Sequence, residues 1–143
     1  ARIASRFNQP EVGAALREVG IASPAALVAT WITDRAGLER YAANAQPTTD
    51  DRPRIEYGAW VMPGEFIPTL QALNDLRTGP RLVNADAIPE REIASEHQKL
   101  IAFYEAGIYA YQRDRSRWSA TMKWLLSKDP DNPYYLSFIS ASE

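Results

Sequence analysis

A compact, mainly α domain with one short strand near residues 54–61 is what this sequence predicts, on three observations. Apolar residues recur at three- and four-residue steps along most of the chain, cap and stop residues separate the runs, and only one stretch alternates with period two.

Asn8 can cap a first helix with Pro10 in its first turn, and Val12, Ala15, Leu16 and Val19 form an apolar face that Gly20 terminates. Ser23-Pro24 starts a second helix, in which Leu27, Val28, Trp31 and Ile32 keep helical spacing. Thr33-Asp34 supplies the cap of a third, carrying Leu38, Tyr41 and Ala42, and Pro47 closes the region. Arg54 to Val61 then alternates polar and apolar residues as a strand does, ending at Met62-Pro63-Gly64. Phe66, Ile67, Leu70, Leu73 and Leu76 describe an amphipathic helix with Pro68 in its first turn and Gly79-Pro80 as its stop. Residues 81–88 read as a connector.

Beyond Pro89, Ile93, His97, Leu100, Ile101, Tyr104, Ile108 and Tyr111 give one long helix with a single apolar stripe. Asp114 can cap the next, which carries Trp118, Met122, Leu125 and Leu126 and stops at Asp129-Pro130-Asp131-Asn132-Pro133. Tyr134, Tyr135, Phe138 and Ile139 begin a last one. The organisation is therefore 1–62, helices plus strand; 63–88, helix and connector; and 89–143, a helical hairpin with its follower.

With 143 residues the chain is long enough to bury a core. Its 16 Lys+Arg against 18 Asp+Glu give no positive field for nucleic acid. The absence of cysteine removes disulfides and thiolate chemistry. The most apolar run, Ala25 to Ile32, is far short of the ~20 residues of a membrane span. A start without Met or signal-like run reads as cut from a longer protein.

One stretch has the character of a family motif: Thr48-Thr49-Asp50-Asp51-Arg52-Pro53-Arg54-Ile55-Glu56-Tyr57-Gly58-Ala59. It resembles the segment that closes the catalytic region of spermidine-synthase-like proteins, the polyamine aminopropyltransferase family, particularly the bacterial type fused to a transporter-like membrane region. The marker residues are Thr49, Asp50, Asp51, Arg52, Pro53, Glu56 and Tyr57. The resemblance implies a parent transferase using decarboxylated S-adenosylmethionine as co-substrate, tethered at the cytoplasmic face of a membrane through its N-terminal region. A cofactor site of that family needs closely spaced glycines, whereas the seven glycines here are scattered singly. The segment is accordingly expected to bind no cofactor, to be catalytically silent alone, and to pack against the preceding catalytic domain or mediate homo-oligomeric assembly.

Two readings of the acidic turn stay open. Thr48, Thr49 and Asp50 can bond nearby backbone amides, with Pro53 fixing the start of the strand. Alternatively, Asp50, Asp51 and Glu56 bind a substrate bearing protonated amines. By alternation Ile55, Tyr57 and Ala59 share one face of the strand, leaving Glu56 on the other.

The last third is similar to a tetratricopeptide hairpin, whose repeat of about 34 residues ends in a proline. Counting back from Pro130 puts Tyr109 at the helix-A tyrosine, but Ala106 stands at the usual glycine, and Trp118 and Leu125 at sites that are normally small. One degenerate hairpin is expected.

His97 is the only histidine, which leaves no zinc or iron spacing and little room for a hydrolytic triad. Beside Glu92 and Glu96 on a helix, it reads as a polar boundary residue. The aromatic residues of this third cannot all face inward, since Tyr109 and Tyr111 lie about 200° apart on a helix. Tyr109, Trp118, Trp124 and Tyr135 are expected to form an interaction surface. Two other functions are kept beside the transferase tail: a stand-alone helical protein-binding module, and a domain holding a cationic amine through Asp50, Asp51 and Glu56.

Overall fold

The computed structural model describes residues 2–45, 63–80 and 88–140. Its described residues form eight α-helices: α1 (Arg2–Phe7), α2 (Pro10–Glu18), α3 (Pro24–Ala29), α4 (Arg35–Ala42), α5 (Phe66–Asp75), α6 (Glu90–Tyr111), α7 (Arg115–Lys128) and α8 (Pro133–Ser140). The mainly helical expectation is met; the strand near 54–61 lies outside the described residues. Packing divides the chain into two units, one formed by 1–31 with 80–143 and the other by 32–79.

The first unit is built on α6. Its 22 residues make a rod of roughly 33 Å, with Glu90 and Glu92 in the first turn, where negative charge suits the helix dipole. The end of α6 is a Schellman turn: Arg113 N–H donates to Ala110 O at 3.0 Å and Asp114 N–H to Tyr109 O at 2.9 Å. That geometry requires a left-handed residue after the cap, and Arg113 takes it at φ 60°. Asp114 then caps α7 as its sequence position predicts, accepting from Arg117 N–H at 3.1 Å. The Arg117 side chain folds back over the Tyr109 ring, 5.7 Å from its centroid.

Where α6, α7 and α8 meet, Ala106, Met122, Leu125 and Tyr135 form the core, with Ala106 and Leu125 wholly removed from solvent. Leu125 alone contributes about 1.5–3 kcal/mol through this burial. Phe103 of α6 meets Tyr135 and Phe138 of α8 at ring-centroid distances of 5.2 and 5.4 Å, and Trp118 of α7 meets Phe138 at 6.4 Å. Trp118 and Leu125 thus fill the space that α8 closes.

The other flank of the unit is made by the N-terminal helices. Ser23 caps α3 by accepting from Ala26 N–H at 3.0 Å, and Pro24 holds its first position. Ala25 and Val28 of α3 bury themselves with Ile88, against Ile93 of α6. Phe7 of α1 is also buried.

Three details of the sequence reading are corrected. Asn8 does not cap α2, because the helix starts one residue later and its flanking residue, Gln9, offers no side-chain cap. An additional helix, α1, precedes it, made by residues 2–7 with no acidic first turn to announce it. The second helix stops at Ala29, so Trp31 and Ile32 lie beyond its end, with Trp31 exposed.

The unit made by 32–79 contains α4 and α5. Asp34 caps α4 by accepting from Gly37 N–H at 2.9 Å. Gly37 is buried against Thr33, and a Cβ there would collide with the Thr33 hydroxyl. Leu38 and Tyr41, the apolar residues that mark this helix in the sequence, are exposed: the buried face of α4 runs through Gly37. The residues 63–65 make one 3-10 turn leading into α5, which keeps Pro68 in its first turn. Thr78 N–H donates to Ile32 O at 2.9 Å, joining the two ends of the unit.

Candidate binding cavity

The first unit contains a cavity of about 270 Å³. Three pieces of chain line it: the turn after α2 with the adjoining face of α3, the middle of α6, and the α7–α8 turn with the start of α8.

Local sequence explains each wall. The first wall is a second Schellman turn, with Gly20 N–H donating to Arg17 O at 3.0 Å and Ile21 N–H to Leu16 O at 2.9 Å. Gly20 sits at φ 75°, a conformation in which a Cβ would be strained. A Cβ would in addition stand 3.1 Å from both Asn132 Oδ1 and the Tyr134 ring, so the glycine lets the two ends of the unit approach.

Asn132 is the clasp. It is buried, and its amide nitrogen donates to Gly20 O at 3.3 Å, across 112 positions of sequence, and to Asp129 Oδ2 at 3.0 Å. Its amide oxygen accepts from Tyr134 N–H at 3.0 Å, which caps α8. One side chain therefore begins α8, holds the Asp129 carboxylate at the end of α7 and ties both to the turn after α2.

The wall from α6 supplies Leu100, Phe103 and Tyr104 as apolar surface, with Glu96 and Lys99 one turn away. Lys99 Nζ and Glu96 Oε2 form an ion pair at 2.8 Å whose side chains are only 13% and 25% exposed. Such a pair is screened less than one on the surface. Asp129 adds a second carboxylate, so the formal charge of the lining is one negative unit: Glu96 and Asp129 against Lys99.

This charge is felt by the Tyr135 phenol. Burial above all, then the carboxylates of Asp129 and Glu96, push its pKa up from 10.0 to about 12. The phenol is therefore neutral throughout the physiological range. The carbonyl ends of α2, α3 and α7 also lie at the cavity, since Val19, Thr30 and Asp129, the residues that follow these helices, line it. Apolar faces, a carboxylate and a half-buried ion pair form a surface suited to recognition.

The structure places the sequence-derived candidates as follows. Thr49, Asp50, Asp51, Arg52, Pro53, Glu56 and Tyr57 lie outside the described residues. Tyr135, expected on an interaction surface, is 7% exposed and belongs to the core. Trp118 and Trp124 are half-buried against the same core, and Tyr109 is half-buried under Arg117. The exposed aromatic residues among those described are Trp31, Tyr41, Phe66, Tyr111 and Tyr134, of which Tyr134 stands at the cavity. His97 is half-buried on α6. Among the described residues no group of three His, Cys, Asp or Glu could hold a metal ion, and no helix is long and apolar enough to cross a membrane.

Sequence reasoning missed Glu96, Lys99, Asp129 and Asn132 as a group. Asp129 and Asn132 were visible only as helix punctuation, and no local signal pairs Asn132 with Gly20. Comparison with protein-family models, with curated proteins and with solved structures finds no match for this chain.

Proposed function

We propose that the chain is a non-catalytic helical docking module and that its cavity is where a partner polypeptide is received. The observation that carries this reading is a concave site lined by three separate pieces of chain, two of which are tied together by one buried asparagine. A pre-formed concave site with apolar walls and a few fixed polar groups is the arrangement that binding sites share. The resemblance of residues 48–59 supports a parent of the spermidine-synthase-like kind, a polyamine aminopropyltransferase using decarboxylated S-adenosylmethionine. In that setting the partner is the catalytic region of the same protein, in cis or in a second copy, at the cytoplasmic face of a membrane.

The test is calorimetric titration of the chain with the separately produced catalytic region of the parent. Micromolar association, lost when Ala26→Trp fills the cavity while helicity is retained, is expected. Association that ignores the plug, or none at millimolar concentration, overturns the reading.

A further inference from the structure

We infer that the cavity recognises an arginine side chain of a partner polypeptide, with the guanidinium seated at the Asp129 end. This rests on the docking-module reading and names the chemistry its site selects.

Three groups converge at that end. Asp129 uses Oδ2 to accept from Asn132 at 3.0 Å, and a carboxylate can accept several further bonds. Gly20 O accepts from Asn132 at a long 3.3 Å and keeps a second lone pair. The ring of Tyr134 stands beside Gly20, as its 3.1 Å approach to the position of a Gly20 Cβ requires. That ring belongs to a half-exposed side chain, so it offers a surface to an incoming group.

Carboxylate, carbonyl and aromatic ring together select among cations. A guanidinium is planar, carries five donors and no acceptor, and stacks on aromatic faces. It can bond Asp129 and Gly20 O at its edge while its plane lies on Tyr134. An ammonium is a compact, strongly hydrated charge that gains less from the ring. A neutral apolar side chain would leave Asp129 desolvated without a partner. The carbonyl end of α7 adds negative partial charge beside Asp129, while the start of α8, the opposing positive end, has its Tyr134 N–H taken by Asn132. Leu100 and Phe103 supply apolar surface for the methylene stem. Lys99 does not oppose the ligand's charge in full, because Glu96 neutralises it at 2.8 Å.

The experiment compares four probes on the intact chain by amide-resolved NMR titration: N-acetylarginine methylamide, its citrulline and lysine counterparts, and free L-arginine. Citrulline has nearly the shape of arginine without the charge. The capped arginine is expected to perturb Gly20, Asp129 and Tyr134 and to bind at least tenfold more tightly than citrulline or lysine. It should also exceed free arginine, whose own carboxylate is repelled. Asp129→Asn should abolish the selectivity over citrulline, with circular dichroism verifying the fold. Equal binding of citrulline or lysine overturns the arginine assignment while leaving the cavity a binding site. Tighter binding of free arginine moves the site from peptide to metabolite and overturns the proposal. If no probe perturbs the cavity and the catalytic region still binds in a plug-sensitive way, the arginine assignment alone fails. If neither binds, both readings fail.

Discussion

Replacing Asn132 should test how the first unit is held together. In Asn132→Ala three bonds disappear at once: the α8 cap at 3.0 Å, the bond to Asp129 at 3.0 Å and the longer one to Gly20 at 3.3 Å. A lost cap costs about 1 kcal/mol. The donor bond to a carboxylate contributes about 1–2 kcal/mol, and the long bond to Gly20 stands at the weak end of about 0.5 kcal/mol. Allowing for partial replacement by water, the loss should be about 2–3 kcal/mol, a large part of the ~5–15 kcal/mol of an ordinary domain. Urea unfolding followed by circular dichroism and tryptophan fluorescence measures it, with Trp118 and Trp124 reporting on the affected unit.

Asn132→Asp sharpens the test. The aspartate can still accept from Tyr134 N–H, so the cap survives, but it places a second carboxylate against Asp129 and a carbonyl acceptor where donors stood. At neutral pH it should therefore be no more stable than the alanine variant. Its like-charge pair raises the folded carboxyl pKa above the unfolded value, so stability should recover as pH falls through the carboxylate range. An aspartate variant as stable as the parent at pH 7 would refute the clasp, as would an alanine variant losing under about 0.5 kcal/mol.

Two further outcomes follow from the same packing. Because the Tyr135 pKa is raised from 10.0 to about 12, its neutral form stabilises the fold fully below pH 10, and that contribution is lost as pH rises towards 12. The loss amounts to roughly 2–3 kcal/mol, so alkaline unfolding monitored by circular dichroism should shift upward in pH in Tyr135→Phe, and an unchanged midpoint contradicts the assignment. Arg113→Gly should raise stability by about 0.5–1 kcal/mol, since the left-handed residue at φ 60° no longer carries a Cβ, an effect partly offset by chain entropy; a lower thermal midpoint would contradict it.

Much of the helical order was legible because it is written in local chemistry. Ser23, Asp34 and Asp114 cap where their sequence positions predict, since a short polar side chain before an apolar run has few other uses for its oxygen. The long periodic run after Pro89 could be read for the same reason. What could not be read is which runs meet. Leu38 and Tyr41 have helical spacing yet face outward, because α4 buries Gly37 against Thr33, and a glycine contributes nothing to an apolar pattern. The cavity was hidden for a related reason: its clasp joins positions 112 apart, and an asparagine before a proline reads as a turn whatever it reaches. The acidic motif at 48–59, the most distinctive local signal, lies outside the described residues.

The placement of α3 against α6 also has a consequence in time. Ala25, Val28 and Ala29 are complete when Ala29 leaves the ribosome, but the helix that covers them starts at Glu90. At roughly 5–20 residues per second, the α3 face waits about 3–12 s before the start of its partner leaves the ribosome in turn. The second unit, 32–79, is synthesised within that interval and has its own closing bond between Thr78 and Ile32. Synthesis therefore leaves an early apolar helix without its cover for seconds, a period in which a chaperone has access to the nascent chain and a slowed ribosome would lengthen the exposure.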